Sequence, residues 1–258
     1  MIRKTLAQVK AATYAILLPD PGRGGLPTPR GTGFFIDDAG HFLTAHHVVA
    51  GQAVDDVWLQ QSPTEDGFVP MLQWSEKIAE WPASDLALLK VDFERNSNKA
   101  HLKGRRAFPF ITVELAPVEE GTPVYAFGYP LPEVSGPMNL AGGLQIAHIG
   151  LGHRTTSAIV ASTLERTTLV RTSLDPQVYV LDAAPNYGNS GGPIVVSESG
   201  KVFAVCSRFQ PLQVPQPGGG SVFVPSLYGV VTSISNIAAE LASRVAYLGA
   251  AKRGGSVS

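Results

Sequence analysis

Cysteine is almost absent from this 258-residue chain, which contains only Cys206. A single thiol excludes an intramolecular disulfide and any zinc site built from several cysteines. Packing alone must therefore hold the fold together, as is usual for proteins of reducing compartments. This composition favours a cytoplasmic protein.

Charged residues are also scarce. They make up 16% of the chain, and 20 basic against 21 acidic side chains leave a net charge of −1. Such a chain has no overall electrostatic attraction to nucleic acid or to an anionic membrane. We therefore expect neither nucleic acid nor a membrane as a partner.

Long hydrophobic runs are missing as well. The apolar stretch at residues 11–18 follows Lys10 directly and ends at Pro19, without the small-residue cleavage site of a secretory signal. It is also far shorter than the ~20 apolar residues that a membrane helix needs. Secretion is thus the less favoured alternative to a cytoplasmic location.

The chain is rich instead in glycine, proline and short apolar runs. Its 27 Gly and 20 Pro separate many short runs of hydrophobic residues, which total 44% of the chain. This pattern is typical of an all-β sandwich or barrel. The predicted strands are residues 12–17, 33–36, 41–44, 57–59, 77–80, 86–91, 124–127, 144–149, 158–162, 178–181, 193–196, 202–207 and 228–232.

One helix is predicted near the end of the chain. Ile237, Leu241, Val245 and Leu248 recur at helical spacing after Asn236, which we expect to be the N-cap.

Two polar segments interrupt the strands. Residues 92–106 are polar and basic without interleaved aromatics, which favours an exposed connector between two groups of strands over a nucleic-acid patch. Residues 19–30 lack the Gly-Lys-Ser/Thr ending of a phosphate-binding loop, so we predict a surface hairpin loop there.

The most distinctive local motif is Gly-Asn-Ser-Gly-Gly-Pro at residues 188–193. Glycines allow strained backbone conformations, so the Ser190 hydroxyl can project while the N–H groups of Gly188, Asn189 and Ser190 converge on one point. Converging N–H groups form an oxyanion hole. The alternative is a glycine-rich turn in which Ser190 merely bonds its own backbone.

A serine nucleophile needs a base, and the base needs an orienting acid. The Gly-x-Ser-x-Gly pattern of residues 188–192 also fits the nucleophile elbow of α/β-hydrolases, but their histidine follows the serine. Here every histidine precedes Ser190, which excludes that reading and leaves the order His, Asp, Ser. The six histidines are His41, His46, His47, His101, His148 and His153.

Three motifs in a fixed order then point to a family. Gly-Thr-Gly-Phe-Phe-Ile-Asp at residues 31–37 leads into Leu-Thr-Ala-His-His-Val-Val at 43–49, and Ser-Asp-Leu-Ala-Leu-Leu-Lys-Val follows at 84–91. With the segment 182–193, they resemble the trypsin-like serine peptidases of chymotrypsin fold, specifically the HtrA/Deg-like branch. The resemblance extends from about Val9 to the final helix.

The resemblance implies an all-β fold of two antiparallel β-barrels with a C-terminal helix. One barrel is expected within residues 1–105, carrying the histidine and the aspartate of the triad. The second barrel, with the serine and the helix, is expected within residues 106–258. The segment after the last helix is too short for the PDZ domain of many HtrA proteins, so none is expected.

It also implies a role for each catalytic residue. The Thr-x-x-His-Val pattern selects His47 as general base, and its neighbour His46 is expected to be a packed or partly exposed histidine. Asp85 matches the orienting carboxylate and Ser190 the nucleophile, with the N–H groups of Gly188 and Ser190 receiving the oxyanion. Ser207 either donates to Asp85 or faces water on an edge strand.

The substrate pocket is inferred in the same way. Ala184, six residues before Ser190, lies where the family sets the base of its primary pocket. Without a carboxylate there, we expect cleavage after small or medium apolar residues. Ser207, Arg208 and Phe209 are expected to line the pocket, with Phe209 narrowing its mouth.

Control is expected to differ from that of digestive relatives, which pair a new N-terminus with an aspartate before the serine. Asn189 is neutral, so that switch should be absent. We expect activity to depend instead on the ordering of a loop, and residues 130–143 are the best candidate. An activating protein is a candidate partner for this step.

The function predicted from these residues is that of a serine endopeptidase acting on protein or peptide substrates, with no cofactor and no metal. Two alternatives remain open: a protease-fold binding or regulatory module with little turnover, and an esterase using the same triad.

Overall fold

A computed structural model describes residues 2–20, 22, 26–52, 57–65, 67–73, 75–130, 133–139, 145–163, 176–183 and 188–248 of the chain. The strands of the N-terminal half form one antiparallel sheet in the order β5-β4-β1-β2-β3-β7-β6. They are β1 (Thr13–Asp20), β2 (Leu26–Phe35), β3 (His41–Thr44), β4 (Trp58–Gln60), β5 (Met71–Leu72), β6 (Ser75–Trp81) and β7 (Leu86–Val91).

The C-terminal half contains a closed barrel and a small separate sheet. The barrel has the order β11-β12-β15-β14-β13-β8, and β9 pairs with β10 alone. These strands are β8 (Pro123–Gly128), β9 (Glu133–Asn139), β10 (Gln145–Gly150), β11 (Arg154–Ser162), β12 (Val178–Leu181), β13 (Pro193–Val196), β14 (Val202–Pro215) and β15 (Ser221–Ser233).

The predicted all-β class with two barrel-type sheets is confirmed, the first sheet being a half-barrel and the second a closed barrel. Four predicted strands agree with the structure to the residue, because Gly, Pro or polar residues bound each short apolar run. They are β3, β7, β12 and β13.

The helices were predicted less well. The helix α1 (Ile2–Ala12) was not predicted, although its Val9 side chain is buried in the core. Its sequence has no capping residue or acidic first turn to mark its start. The described chain also contains the single turns α2 (His46–Val49) and α3 (Phe93–Asn96) and the helix α4 (Ala238–Arg244). In the described part of the chain, no helix has the length and apolarity to cross a bilayer.

The N-cap prediction for the last helix is wrong. The turn begins as a 3₁₀ segment at Ile234–Ile237, where the Ser233 side chain accepts from the Ser235 amide. Asn236 lies inside that segment, and its side chain instead exchanges two hydrogen bonds with the backbone of Gln177, at 2.8 and 2.9 Å. A long-range partner thus takes the side chain that local sequence would assign to a cap.

The connector at residues 92–106 is not exposed throughout, as was predicted. Asn96 is fully buried, and its side chain accepts from the Gln73 amide at 3.1 Å and donates to the carbonyls of Gln73 and Asp92. Leu102 is also buried. The connector is therefore anchored to the first sheet.

Two predicted loops contain strand residues. Within residues 130–143, β9 pairs with β10, while residues 131–132 and 140–143 lie outside the described chain. Within residues 19–30, β2 begins at Leu26 and pairs with the end of β1, so the hairpin loop is shorter than predicted.

The C-terminal helix packs on the first sheet and not only on the barrel that precedes it. Ile237, Leu241 and Val245 belong to the same apolar cluster as Phe35 of β2. The Tyr247 hydroxyl donates to the Ile36 carbonyl at 2.9 Å. A separate cluster fills the barrel interior. The division at residues 105 and 106 stays a prediction.

Candidate active site

Sheet pairing brings His47 and Asp85 together. β3 and β7 are antiparallel neighbours, with Thr44 opposite Ala87, so the end of β3 and the start of β7 meet at one edge. His47 follows β3 in α2, and Asp85 immediately precedes β7. The His47 Nδ1 atom lies 2.9 and 3.0 Å from the two carboxylate oxygens of Asp85, and the His47 amide donates to Oδ1 at 3.0 Å.

Asp85 has a backbone conformation that suits few residues. Its φ of 50° and ψ of 43° are left-handed, and it is the only described non-glycine residue with positive φ. Aspartate tolerates this region better than most residues because its short polar side chain can form local hydrogen bonds. The Asp85 carbonyl also accepts from the His46 amide at 3.1 Å, so backbone and side chain both hold the histidine turn.

The Ser207 hydroxyl donates to Asp85 Oδ2 at 2.5 Å, and Ser207 is buried. The structure thus places Ser207 beside the carboxylate and not at a water-facing edge. Burial by itself would raise the pKa of Asp85, but the hydrogen bonds from His47 and Ser207 outweigh it and hold that pKa below its usual value. Asp85 is therefore ionised at neutral pH.

Ser190 lies in the turn before β13, next to a glycine that no other residue could replace. Gly191 has a φ of 86°, and a Cβ there would lie 2.1 Å from the Thr32 carbonyl oxygen and 2.2 Å from Thr44 Oγ1. The Ser190 hydroxyl donates to the Ser207 carbonyl at 3.3 Å. Among the described residues it has no hydrogen bond to His47, whose ring bonds Asp85 alone.

The predicted oxyanion-hole amides lie in the turn that carries Ser190. Among the residues that the structure describes, the N–H groups of Gly188, Asn189 and Ser190 have no acceptor. The Gly192 amide donates to the Asn189 carbonyl at 2.7 Å, which fixes the peptide group that carries the Ser190 N–H. Because N–H and C=O point in opposite directions across a trans peptide, this bond directs the Ser190 N–H away from the turn interior.

Thr32 of β2 also reaches this turn, and sequence reasoning gave it no role. Its amide donates to the Ser190 carbonyl at 2.8 Å, and its hydroxyl donates to the Gly188 carbonyl at 2.6 Å. The only local signal was a hydroxyl residue between Gly31 and Gly33, and no spacing rule connects that pattern to a turn more than 150 residues away.

His46 has a separate set of contacts. Its Nε2 atom lies 3.5 Å from Glu80 Oε1, and Lys77 Nζ contacts the same oxygen at 2.9 Å. The imidazole is partly exposed. His46 thus does not share the Asp85 carboxylate with its neighbour.

The predicted pocket residues are only partly described. Ala184 lies outside the described residues. Arg208 is exposed directly after Ser207, and the Phe209 backbone pairs with Gly229 in the β14–β15 ribbon. The pocket assignment therefore stays a prediction.

Two other side chains have structural roles. Asp92 accepts from the Arg95 amide at 3.2 Å and caps α3. Cys206 is buried in the barrel, and burial raises the pKa of its thiol, which leaves it unreactive. Within the described ranges, no group of three His, Cys, Asp or Glu side chains is arranged to hold a metal ion.

Taken together, the geometry brings to one region a hydroxyl, an imidazole with a bonded carboxylate, and backbone amides that have no acceptor among the described residues. These are the parts of nucleophilic acyl transfer. Comparison with known proteins also indicates a peptidase fold. The sequence profile of the family described as "Trypsin-like peptidase domain" matches residues 31–205.

Two curated relatives cover most of this chain. An uncharacterized protein y4bJ of Sinorhizobium fredii (strain NBRC 101917 / NGR234) is 28% identical over 216 residues, 81% of this chain and 28% of that one. Protease Do-like 1, chloroplastic, of Arabidopsis thaliana is 25% identical over 210 residues, 81% of this chain and 40% of that one. The chain thus spans well under half the length of these relatives.

Solved structures share the fold. An HtrA-type protease AlgW bound to a tripeptide matches 96% of this chain and 64% of its own, with a TM-score of 0.58 and 20% identity. The AlgW complex with a decapeptide matches 93% of this chain and 66% of its own, again with a TM-score of 0.58 and with 18% identity. With its profile match over residues 31–205, the chain belongs to the trypsin-like peptidase family.

Proposed function

We propose that this protein is a serine endopeptidase in which Ser190, His47 and Asp85 form the catalytic triad. One observation carries the proposal: among the described residues the amides of Gly188 and Ser190 have no acceptor, and the turn that carries them lies beside a histidine already bonded to an ionised carboxylate. Such amides are the preorganised donors that stabilise a tetrahedral oxyanion.

In the proposed reaction, Ser190 Oγ attacks the scissile carbonyl carbon while His47 Nε2 accepts its proton. Asp85 holds the Nδ1–H tautomer and stabilises the imidazolium that forms. The oxyanion is bound by the Gly188 and Ser190 amides. His47 then protonates the leaving amine, and water repeats the sequence to release the acyl group from Ser190.

For this reaction the Ser190 hydroxyl must transfer its hydrogen bond from the Ser207 carbonyl to His47. A rotation about the Cα–Cβ bond of Ser190 is the change we propose. Catalytic hydrogen bonds in ligand-free enzymes are often incomplete and form only with substrate. Ordering of the region around residues 130–143, by substrate or by an activating partner protein, remains our proposal for the trigger.

The experiment is labelling with a fluorophosphonate probe. The wild-type chain is expected to label, and Ser190→Ala and His47→Ala are expected not to. Ser197→Ala is the matched serine control, because Ser197 donates to the Pro123 carbonyl on an exposed turn. Labelling of Ser190→Ala at the wild-type rate would refute the assignment.

A second candidate is a protease-fold binding module with little turnover. The observation that favours it is that the Ser190 hydroxyl donates to the Ser207 carbonyl and, among the described residues, has no hydrogen bond to His47. Absence of labelling with and without peptide would support this candidate. Faster turnover of small esters than of matched peptides would instead favour an esterase.

The proposed substrate is a polypeptide with a small or medium apolar residue before the cleaved bond, since Ala184 supplies no charge for a basic side chain. Cleavage of a peptide library chiefly after Lys or Arg would contradict this preference.

A further inference from the structure

Thr32 connects the first sheet to the nucleophile turn. It lies in β2, is fully buried, and precedes the Ser190 turn by more than 150 residues. Among the described residues of the first sheet, Thr32 is the only one whose side chain forms a hydrogen bond to the backbone of residues 188–190.

The Thr32 hydroxyl uses both of its hydrogen-bonding capacities at this interface. It donates to the Gly188 carbonyl at 2.6 Å and accepts from the Tyr129 amide at 3.1 Å. Tyr129 directly follows β8, so the hydroxyl bridges two segments of the C-terminal half. A hydroxyl has one donor and two acceptor sites, which suits this bridge.

The Thr32 backbone adds to the connection. Its amide donates to the Ser190 carbonyl at 2.8 Å, and its own carbonyl accepts from the Thr44 hydroxyl at 2.7 Å. Thr44 is also fully buried. The Thr32 backbone is therefore also bonded by Thr44 at the end of β3, the strand that leads to His47.

These bonds fix the peptide groups on either side of the Ser190 amide. The Gly188 carbonyl belongs to the 188–189 peptide, and the Ser190 carbonyl belongs to the 190–191 peptide. With both carbonyls anchored to Thr32, the intervening Ser190 amide has little freedom to turn away from the cleft. The bond from Gly192 to Asn189 completes the restraint.

We infer that Thr32 is a positioning residue whose hydroxyl orders the oxyanion turn across the interface between the two sheets. It touches no reacting atom and acts through Gly188 and Ser190. The inference rests on the proposed function, since it assigns those amides to the oxyanion.

The test compares Thr32→Val, Thr32→Ser and Thr13→Val. Valine keeps the shape of threonine but can neither donate to Gly188 nor accept from Tyr129, whereas serine keeps the hydroxyl. Thr13→Val is the matched control: Thr13 is also fully buried, and its hydroxyl donates to the Val9 carbonyl at 2.7 Å, within the N-terminal half.

Rates of fluorophosphonate labelling and peptide cleavage are measured per folded molecule. Loss of one oxyanion donor typically lowers kcat by about 10²–10³-fold, so partial misplacement in Thr32→Val is expected to lower kcat by about 10–100-fold with KM little changed. Thr32→Ser and Thr13→Val should stay within about threefold of wild type, less than the loss of any oxyanion donor. Wild-type kcat in Thr32→Val, or an equal loss in Thr13→Val, would overturn the inference.

Amide hydrogen exchange separates this inference from the proposed function. Peptides covering residues 188–192 are expected to exchange faster in Thr32→Val than in Thr13→Val, even if wild-type protein does not label. Equal exchange in the two variants counts against the inference, whereas absence of wild-type labelling counts against the proposed function. If Thr32→Val does not fold, Thr44→Val takes its place, with a lower kcat and faster exchange of residues 188–192 as the expected result. Wild-type kcat and wild-type exchange in Thr44→Val would then overturn the inference.

Discussion

The Ser207 hydroxyl donates to Asp85 Oδ2 at 2.5 Å and so connects β14 of the closed barrel to the residue that precedes β7 of the first sheet. The same carboxylate bonds the His47 ring. A residue of the second half therefore adds to the hydrogen bond from His47 in lowering the pKa of a carboxyl that belongs to the first half.

Ser207→Ala is expected to weaken both stability and catalysis. A hydrogen bond to a charged group contributes about 1.5–3 kcal/mol, and loss of about 1.4 kcal/mol of it in the transition state would lower kcat about tenfold. Labelling rate and chemical denaturation measure the two effects. Unchanged values in both would show that the bond has no energetic role.

The stability loss in Ser207→Ala should depend on pH in a stated direction. Burial would raise the pKa of Asp85, but the bonds from His47 and Ser207 lower it below 3.8. A carboxyl with a lowered folded-state pKa stabilises the fold above its unfolded-state pKa, and this contribution is lost as the pH falls through the folded value. The difference in unfolding free energy between wild type and Ser207→Ala should be largest near neutral pH and shrink below pH 3.8. A difference independent of pH would contradict this account.

Asp85→Asn is expected to lower kcat by about 10⁴-fold while the fold is retained. Asparagine tolerates the left-handed backbone of this position, but it disfavours the His47 tautomer that presents a free Nε2. Peptide turnover with circular dichroism as the folding check measures this. Activity within tenfold of wild type would remove Asp85 from the triad.

His153 should make the fold sensitive to mild acid. Its Nε2 atom is buried without a partner among the described residues, and burial, with Lys10 and Arg154 nearby, lowers its pKa to about 4. In the unfolded chain His153 binds its proton near pH 6.5, whereas in the folded chain it does so only near pH 4. The free energy of unfolding should therefore decrease as the pH is lowered from 6.5 to about 4. His153→Phe keeps the ring contacts with Phe127 and Tyr129. Its melting temperature should decrease less than that of wild type over the same pH range. An unchanged pH slope would show that His153 does not cause it.

Asn96→Ala should destabilise the fold by about 2–4 kcal/mol, because it removes a fully buried side chain and its hydrogen bonds to the half-buried amide and carbonyl of Gln73. Labelling per folded molecule should not change. Asn98→Ala on the same connector is the control, since Asn98 is exposed. Equal denaturation midpoints for the two variants would contradict a structural role for Asn96.

Local sequence patterns were sufficient to predict structure wherever the backbone conformation depends on neighbouring residues. Short apolar runs bounded by breakers placed β3, β7, β12 and β13 to the residue. The glycine before β13 was recognised from sequence, and the structure adds that Gly191 has both a positive φ and no space for a side chain. The order His, Asp, Ser excluded an α/β-hydrolase without any coordinates.

Long-range partners could not be obtained in this way. Asn236 looked like a cap and Asn96 like an exposed linker residue, yet each bonds a backbone segment distant in sequence. The sequence left open whether the Ser207 hydroxyl donates to Asp85 or faces water. Only the packing of the two sheets decided between them. The bridge from Thr32 to Gly188 had no signal in sequence spacing.

The sequence by itself determined the all-β class, the strand runs and the residue types available for the chemistry, because steric and hydrophobic preferences act over a few residues. Only the tertiary structure decided which hydroxyl donates to Asp85, which acceptor the Ser190 hydroxyl bonds and which side chain anchors the Ser190 turn. These contacts depend on how two sheets approach each other, and that is set by packing across the whole chain.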